Sequence, residues 1–256
     1  MRKKRKSANR AHPSPVVSVI IPAMNERGTI GRVIREAFRV HPRTEVIAVV
    51  NGSRDGTAIV AARAGARIVR LREALGHDVG RSVGARHARG EVLLFCDGDI
   101  VISSRKLRTL VNAVLAGCDV ALNGYEGPKS GVDVHSVVLA KHALNIALGR
   151  GDLGGASLTT IPHAMNRKAL ETIGAGQLCV PPKAHAIAVL SGLDIRTVPP
   201  IDVGRPNPVR RRRARRKDPL ETLIVGDHAE AFERLLAALG PRGPYPDGSR
   251  LISMVR

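Results

Sequence analysis

The 256-residue chain has no tryptophan, and only two tyrosines and three phenylalanines. Val, Ile, Leu and Ala must therefore fill any core, and a single-stranded nucleic acid would find few aromatic faces to stack on. Cysteine is also scarce: Cys96, Cys118 and Cys179 are far apart and odd in number. That spacing builds neither a metal finger nor a disulfide framework, so a reducing, cytoplasmic setting is expected. No apolar run reaches the roughly 18 residues a membrane span needs. No apolar stretch follows the basic start as in a secretory signal.

Acidic residues are few, 22 against 41 Lys and Arg, for a net charge of +19. The excess is local. Arg2, Lys3, Lys4, Arg5, Lys6 and Arg10 form one cluster, and seven basic residues between Arg210 and Lys217 form another. Thirteen of the 19 net charges thus sit in two short segments. Such arms suit a polyanion, an anionic membrane surface on the cytoplasmic side, or an anionic substrate. Nucleic acid would be held only through phosphates, without sequence specificity.

What is present is an alternation of apolar runs and amphipathic stretches. Residues 1–15 are basic, hold two prolines and read as disordered. Val16 to Ile21 is a β-branched run ended by Pro22. Apolar offsets of three and four from Thr29 to Val40 mark a helix. Strands are expected at 45–50 and 66–71, with helices at 57–64 and 77–89. Short connections between alternating elements imply a parallel sheet with helices on both faces. The loops at 22–26, 51–57 and 97–99, with 77–81, would then meet along one sheet edge.

Glu91 to Ile100 reads EVLLFCDGDI, a buried strand over 91–97 that stops at two acids flanking Gly98. Alone, this is either a turn after a core strand or two carboxylates on one side of an extended chain, able to share a hard cation. Farther on, a helix is expected at 104–116, a strand at 119–122, a helix at 132–148, a flexible Gly-rich loop at 151–155 and a strand at 157–164. Helices at 167–173 and 184–190, a strand at 194–198 and a helix at 220–239 complete the pattern.

Four stretches together resemble family 2 glycosyltransferases of the GT-A fold: VSVIIPAMNE at 17–26, VIAVVNGSRDGT at 46–57, GRSVGARHARGE at 80–91 and LLFCDGDI at 93–100. The resemblance implies a GT-A, Rossmann-like α/β fold with a mixed, mostly parallel sheet and helices on both faces. It also implies a nucleotide-sugar-binding half at 16–125, an acceptor-side half at 126–205, and a basic run with a C-terminal helix at 206–256. Pro22, Ala23 and Glu26 would line the base and ribose. Asn51 would stand where the family usually has an Asp, with Ser53 beside it. Gly80 and Arg81 would lie near the base or diphosphate. Asp97 and Gly98 would flank the ribose, and Asp99, supported by Asp97, would hold Mn2+ or Mg2+. The implied donor is a nucleotide diphosphate sugar, a UDP-sugar above all. The acceptor would be anionic, held through Arg210, Arg211, Arg212 and Arg213.

The second half departs from the family. Inverting members place an acidic base where this chain has VPPKAHA at 180–186, which contains no acid. His185, Asp227 and His228 are the alternative bases. A retaining reaction of the glucosyl-phosphoglycerate synthase kind, whose front-face route is thought to need no base, is a second reading. Nucleotide-sugar binding without turnover, or a basic polyanion-binding module, would be a third.

Overall fold

The computed structural model describes residues 14–125, 134–203, 219–246 and 248. Both basic clusters, including Arg210 to Arg213, lie outside the described residues. Seven strands form one sheet in the order β3-β2-β1-β4-β6-β5-β7. They are β1 (Val17–Ala23), β2 (Thr44–Asn51), β3 (Arg67–Leu71), β4 (Val92–Phe95), β5 (Val120–Asn123), β6 (His163–Asn166) and β7 (Ile195–Val198). Four pairings are parallel. The two made by β6, with β4 and with β5, are antiparallel. The expected mixed, mostly parallel sheet is therefore observed, and it runs unbroken through both halves of the chain.

The eight α-helices described are α1 (Ile30–Phe38), α2 (Thr57–Arg63), α3 (His77–His87), α4 (Ser104–Leu115), α5 (Ser136–Ala147), α6 (Arg167–Ile173), α7 (Pro181–Leu190) and α8 (Pro219–Leu239). Alternation along the strands sends side chains to two cores. On one face Val19, Ile21, Val46 and Leu94 pack against α1, α2 and α4. On the other, Ile20, Ile47, Leu93, Phe95 and Leu122 pack against α3, α6 and α7. A smaller cluster of Leu144, Leu148, Ala186, Ala231 and Leu235 joins α5, α7 and α8. Among the described residues no helix is long and apolar enough to cross a membrane. The three cysteines are free thiols, with Cys96 and Cys118 buried.

Several boundaries differ from the sequence pattern for identifiable reasons. Pro22 does not end β1, because it costs no ladder bond where it stands. Ile20 O accepts from Cys96 N at 3.0 Å, and residues two apart face the same neighbour, so Pro22 turns its missing N–H to the β4 side. There the pairing has already stopped at Phe95.

β4 is also shorter than the expected 91–97, so Asp97 and Asp99 lie in a bend and not on an extended strand. The strand expected over 157–164 is confined to His163–Asn166. In the preceding segment main-chain groups are taken locally: Thr160 N donates back to Ser157 O (3.0 Å), and Thr160 O accepts from His163 Nδ1 (3.2 Å). Pro162, which has no N–H to give, closes it. The Gly-rich stretch at 151–155 forms a 3-10 turn over Gly151–Leu153, with Arg150 paired to Asp152 at 2.8 Å. A second such turn, Ala175–Cys179, was not expected. α7 begins at Pro181, earlier than the expected 184, because proline's missing N–H costs nothing at a first helical position.

Candidate active site

The C-terminal ends of β1, β2 and β4 face one edge, and the loops beyond them are tied together by short polar side chains. The loop after β1 meets the Gly-Ser-x-Asp-Gly-Thr turn after β2. Asn25 N donates to Ser53 Oγ (3.0 Å), Glu26 N to Thr57 Oγ1 (2.8 Å) and Arg27 N to Asp55 Oδ2 (3.0 Å). In return, Arg54 N donates to Asn25 Oδ1 at 3.0 Å, and Ser53 Oγ reaches Ala23 O at 3.4 Å. Asp55 also accepts from Thr57 N at 2.9 Å, and these bonds hold its carboxyl below the usual range, the Thr57 hydroxyl first among them. Asn25 carries this geometry at a left-handed φ of 59°, a conformation Asn tolerates.

α3 closes the site from the opposite face. A Cβ on Gly80 would lie 2.8 Å from the Pro22 Cβ, so only glycine lets α3 settle onto the end of β1. Gly80 thus packs directly against Pro22 at the end of β1. Asn51 is likewise turned inward. Its Nδ2 donates to Gly76 O (2.6 Å) and its Oδ1 accepts from Leu75 N (2.8 Å). Both ends of the amide anchor the 75–76 segment, which leaves Asn51 as a support and not as a base-facing group.

The bend at 97–99 tucks beneath β1. A Cβ on Gly98 would meet the Ala23 Cβ at 3.0 Å and Pro22 O at 3.2 Å. That close approach throws Asp99 outward to an exposed position, while Asp97 stays 28% exposed and points back toward α3. Asp97 Oδ1 accepts from Arg81 at 2.9 Å, and Arg81 also pairs with Asp78 one turn earlier. Burial alone would lower the Arg81 pKa, but the Asp97 and Asp78 charges outweigh it, so the guanidinium stays charged. Asp78 lies in the first turn of α3, where the helix dipole favours an anion.

β6 brings in residues the sequence pattern did not single out. Its antiparallel register sets His163 opposite Phe95, with ring centroids 5.0 Å apart. The segment before β6 therefore runs beside the acids. His163 Nδ1 lies 3.2 Å from Thr160 O, and since a carbonyl only accepts, Nδ1 carries the proton. Burial, then the Arg81 charge, pushes the His163 pKa down to about 3, so the ring is neutral. Thr160 Oγ1 in turn accepts from the buried Lys141 at 3.0 Å. Asp78-x-x-Arg81 had a readable signal in its helical spacing. His163, Thr160 and Lys141 had none, because an antiparallel insertion from late in the chain brings them here.

The three candidate bases are not at this edge. His185 is fully buried, with Nε2 donating to Asn145 Oδ1 at 2.8 Å, and burial pushes its pKa down to about 3. His228 is buried with Nδ1 against Ile224 O at 2.7 Å, and burial again lowers its pKa. Asp227 is buried beside it on α8. The three belong to the α5-α7-α8 layer. An imidazole sealed on its neighbours and neutral down to about pH 3 has no route to a substrate hydroxyl, so His185 is corrected to a packing residue.

Among the described residues no group of three or more His, Cys, Asp or Glu gathers as a closed metal cage. Two carboxylates on one bend at an open edge are still a fitting donor set. Mg2+-type ions are commonly held by one or two carboxylates, with substrate phosphates and water completing the shell. Asp99, exposed, and Asp97 beside it would hold such an ion.

The sheet order, the antiparallel β6 and the loops converging on Asp97-Gly98-Asp99 define a GT-A fold. The model of the family "Glycosyl transferase family 2" matches residues 18–171, and the chain belongs to that family. Over 96 residues it is 35% identical to the glucosyl-3-phosphoglycerate synthase of Mycolicibacterium paratuberculosis, a match covering 33% of this chain and only 29% of that relative. The glucosyl-3-phosphoglycerate synthase of Mycobacterium tuberculosis, solved with Mn2+, UDP and glucosyl-3-phosphoglycerate, superposes with a TM-score of 0.61 at 23% identity. That match covers 91% of this chain and 82% of the other. The same enzyme with Mg2+ and UDP gives 0.59 at 21%, covering 91% and 81%. At such identities these structures establish the shared fold.

Proposed function

We propose that the chain transfers a sugar from a nucleotide diphosphate sugar, with Mn2+ or Mg2+, to an anionic acceptor. The carrying observation is the latched edge itself. The loops at 23–27 and 51–57, the start of α3 and the 97–99 bend are joined by named side-chain bonds around two acids. In this reading Pro22, Ala23, Glu26 and Ser53 shape the nucleoside end, Asp97 orients the ribose, and Asp99 holds the cation. A cation bound there would neutralise charge growing on the leaving diphosphate, an effect worth several kcal/mol. UDP is the favoured nucleotide, because the solved relatives carry it.

We place the transfer in the retaining class. Val180 to Ala186 holds no acid, α7 opens on prolines there, and His185 is enclosed. Those facts fit a route without a positioned base better than an inverting one, which would need it. The relatives' acceptor, phosphoglyceric acid, is the first candidate. Arg210, Arg211, Arg212 and Arg213 are proposed to hold its charge. The test is a panel of UDP- and GDP-sugars with Mn2+ and phosphoglyceric acid, followed by proton NMR of the product. The reading expects one sugar to be transferred with its anomeric configuration kept. An inverted product would overturn the retaining assignment, and absence of any donor consumption would overturn the enzyme.

A further inference from the structure

A second cleft lies at the far end of the sheet, between the turn after β2, the start of α2 and the end of β3. Three exposed arginines line it: Arg54 from the turn, Arg70 from β3 and Arg72 from just beyond that strand. No acid is among its lining residues. Arg54 gives only its main-chain N–H to a partner, Asn25 Oδ1 at 3.0 Å. Among the described residues none of the three guanidinium groups has a hydrogen-bond or ion-pair partner.

The walls of the cleft are fixed. Ile68 packs into the core on the α1 and α2 side, so Arg70, two residues on, points to that same face. Gly52 N donates to Leu71 O at 3.1 Å, and a Cβ on Gly52 would lie 2.8 Å from Ala74 N, so the turn is pressed against the chain leaving β3. Val50, Ala58 and Leu71 add apolar wall. Charge on an edge strand deters pairing with another chain, which accounts for Arg67 and Arg70 along β3. It does not account for Arg54, which comes from another loop, or for Arg72, which lies past the strand end. Three like charges around one cleft repel one another, and a multivalent anion between them removes that cost. Of the residues assigned to the donor edge only Ser53 also lines this cleft, and its Oγ is turned to Asn25 N and Ala23 O.

We propose that this cleft is a second ligand site, separate from the donor edge, for a phosphomonoester on a small carbon skeleton. Planar guanidinium forks match phosphate oxygens, and the apolar wall takes the carbon part. The cavity is about 240 Å3, below the roughly 300–1,000 Å3 of a drug-sized pocket, so the ligand is compact. The proposal does not depend on the donor-site reading.

The experiment is NMR titration of the full, 15N-labelled chain with glycerol phosphate, beside inorganic phosphate and glycerol. It compares wild type with Arg70→Gln/Arg72→Gln, whose altered side chains are exposed; a melting curve confirms that the variant is folded. In wild type, saturable amide shifts are expected at 54–59 and 70–72, with 97–99 unmoved. The variant should bind about tenfold more weakly or worse, the scale of losing charge-assisted hydrogen bonds. Inorganic phosphate should bind more weakly than its glycerol ester, and glycerol not at all. Shifts centred on 97–99, or shifts that never saturate, overturn the proposal in wild type alone. So does equal affinity in the variant, or inorganic phosphate binding as tightly as the ester. Displacement of glycerol phosphate by UDP with Mg2+ would make the cleft part of the donor site and also overturn it. Failure of the donor-site reading looks different: UDP then shifts no amide, while the glycerol phosphate titration stands.

Discussion

The two halves of this sheet use polar side chains in opposite ways. Around β1, β2 and β4, short polar groups stand at strand ends and bind one another across loops: Asn25, Ser53, Asp55 and Thr57 within one turn of the edge. Around α5, α7 and α8, polar groups point inward. Asn145 and His185 are fully buried and bonded to each other, Lys141 is buried against Thr160, and His228 is sealed on its own helix. The first arrangement leaves a preorganised, open rim for a ligand. The second braces the loop at 154–160 that flanks that rim. Chemistry is thus expected to fail when the first half is altered, and stability when the second is.

The largest expected effect on chemistry is at Asp99. Asp99→Ala removes an exposed carboxylate, so turnover should fall roughly 10²–10³-fold, the scale of losing one electrostatic stabiliser, with the melting temperature unchanged. Steady-state kinetics beside a melting curve would check both. Normal turnover would remove Asp99 from the site.

Asn145→Ala is the matching lesion in the second half. It strips the half-buried carbonyl of Gly154, the buried carbonyl of Ala156 and the His185 N–H of their partner. Urea unfolding should show a loss of about 2–4 kcal/mol. A change under about 1 kcal/mol would mean that the brace does not exist.

Gly80→Ala probes the packing beneath the donor edge. Its new methyl would sit 2.8 Å from the Pro22 Cβ, and such overpacking typically costs about 1–3 kcal/mol. Because Pro22 floors the donor edge, the KM for donor should rise as well. An unchanged KM would separate α3 seating from nucleotide binding.

Acid should act on the buried histidines. His163 and His185 have folded pKa values near 3, while in the unfolded chain they titrate at the ordinary 6.5. The unfolded state therefore binds protons that the folded state refuses. This stabilisation is full above about pH 6.5 and is lost progressively down to about pH 3. The slope is about 1.4 kcal/mol per pH unit for each ring. Urea midpoints at pH 7, 6 and 5 would measure it, and His185→Gln should flatten the profile. An identical slope in that variant would exclude His185 as a source.

The donor edge was legible in the sequence because each of its parts is local. Apolar runs ending in Pro-Ala-Met-Asn-Glu, Asn-Gly-Ser-Arg-Asp-Gly-Thr and Asp-Gly-Asp announce both a strand and its loop, and parallel topology forces those loops together. The alternation that placed helices α1 to α4 came from the same local pattern. What was illegible depends on long-range pairing. β6 enters antiparallel beside β4, so nothing near residue 160 in sequence signals that His163 packs on Phe95 just before the acids. The resemblance implied a ligand-facing position for Asn51, but Gly76 and Leu75 hold its amide. His185 and Asp227 stood as alternative bases only because the 180–186 stretch holds no acid. Helix packing sealed them.

The most direct measurement of the contrast between the halves is hydrogen exchange on the full chain, with and without UDP and Mn2+. The account predicts new protection in the segments 22–27, 51–57, 76–81 and 97–99, with the amides of α5, α7 and α8 unchanged. Protection confined to α5, α7 and α8, with the four edge segments unaffected, would contradict it.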